Sequence, residues 1–165
     1  MAKPLLRTDK EIAEIYKRHM KTVYRVCFAY MKNPFDTEDA VQDTFYKMIR
    51  FEPTFESEEH EKAWLIRTAT NICKNNVKHW FRKRADLADY ETLLSAENIE
   101  IDDTFEVVMG LPDKYKTVVY LYYYEGYTTP EISSILKKPQ STVRNYLYEA
   151  RGILKKRLGG DFDEK

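Results

Sequence analysis

The chain of 165 residues carries 27 Lys and Arg against 27 Asp and Glu, a formal net charge of zero, with 43% hydrophobic and 33% charged residues. That length allows one medium domain or two small ones, while Cys27 and Cys73, the only two cysteines, argue against a disulfide framework and fit a reducing cytoplasm. The longest apolar run, Val118 to Tyr124, falls far short of the roughly 20 residues a membrane span requires, and the opening Met1-Ala2-Lys3-Pro4-Leu5-Leu6-Arg7 lacks the apolar segment of a signal peptide.

With five Gly and six Pro, sheet-turn chemistry is scarce and helices are favoured. Ile12, Ile15, Tyr16, Met20, Val23, Cys27, Tyr30 and Met31 keep helical spacing over about five turns, and Asn33-Pro34 stops that helix. Asp36 is placed to cap a second helix with the apolar face Val41, Phe45, Met48 and Ile49, closed by Pro53. Ser57, followed by Glu58 and Glu59, opens a third helix that runs to about Arg84 over Leu65, Ala69, Ile72, Cys73, Val77 and Trp80. Residues 1–85 hold 17 bases and 12 acids, net +5.

Residues 86–113 then hold nine acids and no base. Their first part, 86–101, is weakly patterned and reads as a flexible linker. A second helical unit starts near Asp102, and 114–158 is basic again, with nine bases and three acids. Thr128-Thr129-Pro130-Glu131 has the capping-box form and predicts a short helix to Lys137. Lys138-Pro139-Gln140 breaks it. A last helix buries Val143, Leu147, Ala150, Leu154 and Leu158. Two helices about a tight turn, the second longer and basic, form the pattern of a helix-turn-helix. The expected fold is therefore all-α, with two small helical domains, 1–85 and 102–165, joined by an acidic linker.

Three faces carry chemistry. Opposite the buried stripe of the last helix lie Ser141, Arg144, Asn145, Tyr148, Arg151 and Lys155, with Thr142 at its start. Arg and Asn pair their hydrogen-bonding groups with G or A edges in the major groove, although the same face could be an ordinary solvated one. The third helix aligns Arg67, Asn71, Lys74, Lys78 and Arg82 with Asn75 alongside, among the aromatics Trp64, Trp80 and Phe81. Such a stripe tracks phosphates while ring faces stack unpaired bases, and Phe51 and Phe55 in the preceding loop add candidates. Trp64 and Trp80 serve equally well as core. On the second helix Asp39 and Asp43 share a face with Gln42. Like charges four apart cost a few tenths of a kcal/mol, which either a basic partner or the nearby Lys47 and Arg50 would offset.

Enzymatic constellations are thin: no Glu-x-x-His, His-Glu-x-x-His or phosphate-binding glycine loop is present. Cys73 and His79 make a weak metal pair, and His19, His60 and His79 read as surface or boundary residues. No cofactor is expected.

These motifs resemble the bacterial RNA polymerase sigma factors of the extracytoplasmic-function (ECF) group. Asp36-Thr37-Glu38-Asp39-Ala40-Val41-Gln42-Asp43-Thr44-Phe45 is similar to the family's core-binding helix, and Ala63-Trp64-Leu65-Ile66-Arg67-Thr68-Ala69-Thr70-Asn71 to the helix that handles the promoter −10 element. Leu111-Pro112-Asp113-Lys114-Tyr115 and the stretch from Glu125 through Ser141-Thr142-Val143-Arg144 resemble its −35-reading domain. The resemblance implies a cytoplasmic, non-enzymatic specificity subunit. Asp39, Gln42 and Asp43 would contact core polymerase. Phe51, Phe55, Trp64, Arg67, Asn71, Lys74, Asn75 and Lys78 would serve −10 DNA; Ser141, Thr142, Arg144, Asn145, Tyr148 and Arg151 would serve −35 DNA. It also implies an anti-sigma partner, often membrane-bound. Lys138 stands in the turn where the family often has Gly, and Tyr122-Tyr123-Tyr124 is unusually aromatic. A homodimeric helix-turn-helix regulator is the alternative; it would need neither the acidic face nor the aromatic loop.

Overall fold

A computed structural model describes residues 7–51, 53–86 and 102–158, with side chains as far as Asn75 in the third helix and without those of 104 and 158. Among the described residues every regular element is a helix, and the chain divides into two compact units, 1–99 and 100–165. The expected linker falls mainly on 87–101, outside the described residues.

The N-terminal unit packs three helices pairwise: α1 (Asp9–Met31), α2 (Pro34–Phe51) and α3 (Glu58–Asp86). Helix α1 begins in a full capping box, Thr8 Oγ1 accepting from the Glu11 N–H at 3.1 Å and Glu11 Oε1 from the Thr8 N–H at 2.9 Å. It ends on Lys32 in the left-handed region, φ 67°. Asn33, not Asp36, caps α2. The Asn33 side chain accepts from the Asp36 N–H at 2.8 Å and donates to its carboxylate at 3.0 Å and to the Met31 carbonyl at 3.1 Å. Pro34 fits the first helical position, where its missing N–H costs nothing, so the helix starts earlier than expected and buries Asp36 in its first turn. Ser57 caps α3 as expected, accepting from the His60 N–H at 3.0 Å. The helix runs on to Asp86, the first residue of the segment read as linker.

The core joins Val23, Cys27 and Tyr30 to Val41, Phe45 and Met48, and to Leu65, Ala69, Ile72 and Cys73, all buried. Ile49 departs from its expected place and stays 43% exposed. Val77, Trp80 and His79 lie outside the described side chains. Both cysteines are free; burial first, then the adjacent Cys73 thiol, pushes the Cys27 thiol well up. His19 is no surface residue. It is buried, with Nε2 at 2.8 Å from Glu61 Oε1, and the Arg18 guanidinium reaches both oxygens of the same carboxylate at 3.3 and 3.4 Å. Helix α3 brings the acid across to α1, so each polar group in the contact is partnered.

The C-terminal unit holds α4 (Asp103–Met109), α5 (Asp113–Val119), α6 (Thr129–Leu136) and α7 (Gln140–Leu158). Asp102 caps α4, accepting from the Phe105 N–H at 2.9 Å, and Arg157 of α7 donates to the Gly110 carbonyl at its other end at 2.6 Å. Helix α5 runs into a wider, π-helical turn, Tyr120–Tyr124, in which the Glu125 N–H reaches back five residues to the Tyr120 carbonyl. Gly126, φ 79°, turns the chain toward α6. The Thr128–Glu131 capping box forms as expected, with bonds of 3.3 and 2.9 Å. The helix ends at Leu136, because Lys137 takes the left-handed conformation, φ 57°. The reversal thus rests on Lys137 and not on Lys138, whose carbonyl instead accepts from Ser133 Oγ. Phe105, Val118, Tyr120 and Leu121 pack with Ile132, Val143, Leu147, Ala150 and Leu154 to make the core.

Candidate nucleic-acid interface

On α2 the buried residues Ala40, Val41, Thr44, Phe45 and Met48 turn Gln42 and Asp43 fully outward, with Asp39 partly exposed. One turn further on, Tyr46 (56% exposed) and Ile49 extend this face. The surface is therefore acidic at one end and apolar at the other. Sequence spacing had assigned Ile49 to the core, since an amphipathic stripe drifts around a helix and does not say where the partner helix stops covering it. Lys47 and Arg50 are exposed on the same helix, and the Arg50 guanidinium lies 6.0 Å from the centre of the Phe51 ring.

The aromatic loop splits into two environments. Phe51 is the last residue of α2 and remains 64% exposed. Phe55 is partly buried: its ring meets the edges of His60 and Trp64 at centroid distances of 5.5 and 5.9 Å. The Arg7 guanidinium lies over Phe55 at 4.9 Å. Trp64 is partly buried and joins the loop's own packing through Phe55. Along α3, Leu65, Ala69, Ile72 and Cys73 point inward, while Asn71 and Asn75 are exposed and Arg67 and Lys74 are partly exposed. Burial lowers the Arg67 pKa from its ordinary value. Lys78 is on α3 by its backbone; its side chain lies outside the described residues.

On α7, Val143, Leu147, Ala150 and Leu154 are buried, and Ser141, Arg144, Asn145 and Tyr148 are exposed on the other side, Tyr148 by 76%. Thr142 is partly buried. Arg151 stands apart from this set. Its Nε donates a 2.8 Å hydrogen bond to the Tyr123 hydroxyl, and its guanidinium lies 5.6 and 5.9 Å from the Tyr122 and Tyr123 ring centres. That hydrogen bond raises the Arg151 pKa, with burial opposing it. Tyr122 and Tyr123 lie within the π-helical turn Tyr120–Tyr124, and both meet α7 at Arg151. Tyr122, Tyr123 and Arg7 are the residues that sequence reasoning missed at these faces. The tyrosine triplet was a visible signal; nothing in the spacing pointed to Arg7.

Among the described residues, no group of three or more His, Cys, Asp or Glu side chains could hold a metal ion. No helix among them is long and apolar enough to cross a membrane.

Two family models match the chain, one described as Sigma-70 region 2 over residues 15–85 and one described as Sigma-70, region 4 over residues 105–154. The RNA polymerase sigma factor SigV of Bacillus subtilis (strain 168) is 30% identical over 149 residues, covering 85% of this chain and 86% of its own length. The ECF RNA polymerase sigma factor SigW of the same organism is 27% identical over 166 residues, covering 90% of this chain and 87% of its own length. The solved structure of the sigma factor RpoE in complex with the anti-sigma factor NepR, from Bartonella quintana, shares the fold with a TM-score of 0.62 at 19% identity. That match covers 92% of this chain and 99% of the other.

Proposed function

The chain belongs to the sigma-70 family as an ECF RNA polymerase sigma factor, and we propose that it divides promoter reading between its two units, with the α2 face holding the polymerase. The observation that carries the assignment is the order of the two matches on one chain, region 2 on the three-helix unit and region 4 on the unit ending in α7. A homodimeric helix-turn-helix regulator would account for α7 alone. It is not favoured, because it leaves 15–85 without a role.

In this reading Asp39, Gln42 and Asp43 present acceptors to a basic surface of core polymerase. The exposed Tyr46 and Ile49 beside them add apolar area that such a contact would cover. Helix α7 enters the −35 major groove with Arg144 and Asn145 at base edges, and Ser141, Thr142, Tyr148 and Arg151 hold the flanking backbone. The N-terminal unit handles the −10 strand through Phe51, Phe55 and Trp64, with Arg67, Asn71, Lys74, Asn75 and Lys78 tracking phosphates. Bond making stays with core polymerase; this chain contributes binding and strand separation. The relative RpoE is held by an anti-sigma factor, and an anti-sigma partner that covers one of these faces is proposed here too. The acidic segment 86–101 is proposed as a tether between two promoter-reading domains.

Run-off transcription with purified core polymerase on genomic fragments tests the reading. Initiation at defined start sites should require this chain, and Asp39→Lys with Asp43→Lys should abolish both initiation and core binding in a folded protein. Palindromic DNA binding with no polymerase-dependent initiation would overturn it.

A further inference from the structure

The residues that hold the 53–57 loop include one from outside the matched region 2. Arg7 precedes the cap residue Thr8, whose box with Glu11 fixes the direction of the chain at the start of α1. From there Arg7 Nη2 donates to the Pro53 carbonyl at 2.5 Å, across 46 positions of sequence, and its guanidinium covers one face of Phe55 at 4.9 Å. Two further pins lie on the α3 side. The Glu56 N–H donates to His60 Nδ1 at 3.0 Å, and Phe55 packs edgewise on His60 and Trp64. Arg7 lies outside the region 2 match, which begins at residue 15.

We propose that Arg7 is a positioning residue for the −10 strand: it pre-orders the 53–57 loop and makes no contact of its own with DNA. The inference rests on the −10 role given above to Phe55 and Trp64. Its physical basis is that a loop ordered before binding does not spend binding energy on becoming ordered. A guanidinium suits the task because it donates to a carbonyl in its plane while its flat face stacks on a ring; an ammonium has no such face to stack.

The test uses holoenzyme assembled from the full chain and core polymerase. The probe is a labelled single-stranded oligonucleotide carrying the non-template −10 strand of a promoter mapped by run-off. Arg7→Ala should weaken binding about three- to tenfold, Arg7→Lys should not restore it, and the dependence of affinity on salt should keep its slope. In the free chain, hydrogen exchange at the Glu56 amide should speed up in Arg7→Ala with the melting temperature unchanged. A slope shallower by about 0.7 with rescue by Lys would mean a direct phosphate contact and overturn the proposal. Tighter binding would make Arg7 a plug and overturn it too, as would unchanged Glu56 exchange. If Phe55→Ala and Trp64→Ala leave oligonucleotide affinity untouched, the −10 reading itself fails, whatever the exchange result says about Arg7.

Discussion

In the N-terminal unit, helices of 23, 18 and 29 residues carry the functional candidates along their shafts. In the C-terminal unit, helices of seven, seven and eight residues precede the 19-residue α7, and much of the positioning passes to the segments between them. A long helix has a fixed angular step, so one correctly assigned buried residue orients all its neighbours. Short helices lose that advantage: each cap and turn sets a new direction. The two units also treat buried charge differently. Glu61 of the first is enclosed by His19 and Arg18 from a neighbouring helix, whereas Lys116 of the second pairs locally with Asp113 at 3.3 Å, three residues away on its own helix.

The largest expected effect probes that contrast. Glu61→Leu removes the carboxylate that the buried His19 and the more exposed Arg18 share and leaves the His19 ring without that partner, which should destabilise the N-terminal unit by about 1–3 kcal/mol. Both tryptophans of the chain, Trp64 and Trp80, are in this unit, so urea unfolding followed by tryptophan fluorescence reads the change directly. An unmoved midpoint would break the idea that this unit depends on its charged cluster. Next comes the division within α7. Arg144→Ala should lose about 1–3 kcal/mol of discrimination at one −35 base position. Arg151→Ala, removing a guanidinium already held by Tyr123, should weaken binding evenly across sequences. Binding of duplexes with single base changes separates the two; a uniform loss from Arg144→Ala would remove it from base reading. The smallest effect is at the turn. Lys137→Gly should stabilise the C-terminal unit by about 0.5–1 kcal/mol, since glycine accepts φ 57° without the penalty a side chain meets. Thermal unfolding followed by helicity measures it, and a loss of stability would show that Lys137 contributes a contact worth more than its strain.

The structure departs from the sequence pattern for two different reasons. Asp36 is a good capping residue, yet Asn33 occupies that position with both a donor and an acceptor, and Pro34 fits the turn that follows. A lone histidine in a helix such as His19 carries no sign in sequence of the acid 42 positions away. Ile49 followed the apolar period and still emerged at the surface. His19 and Ile49 depend on what another segment brings near, whereas the cap is settled locally between two good capping residues three positions apart. The capping box at Thr128, the Ser57 cap and the buried stripe of Val143, Leu147, Ala150 and Leu154 were legible because each depends on residues within a few positions.

The amino-acid sequence by itself determined the all-helical class, the charge blocks that cancel to zero, the stripes facing the cores and the order of motifs that resembles a sigma factor. All of these follow from the local period of a helix and from composition. Only the tertiary structure decided that Arg7 holds the aromatic loop, that Tyr123 holds Arg151 and that Glu61 joins α3 to Arg18 and His19. These are side-chain contacts across 46, 28, 43 and 42 positions of sequence. Hydrogen bonds and ring contacts act over a few ångströms, so they exist only once packing has brought distant segments together.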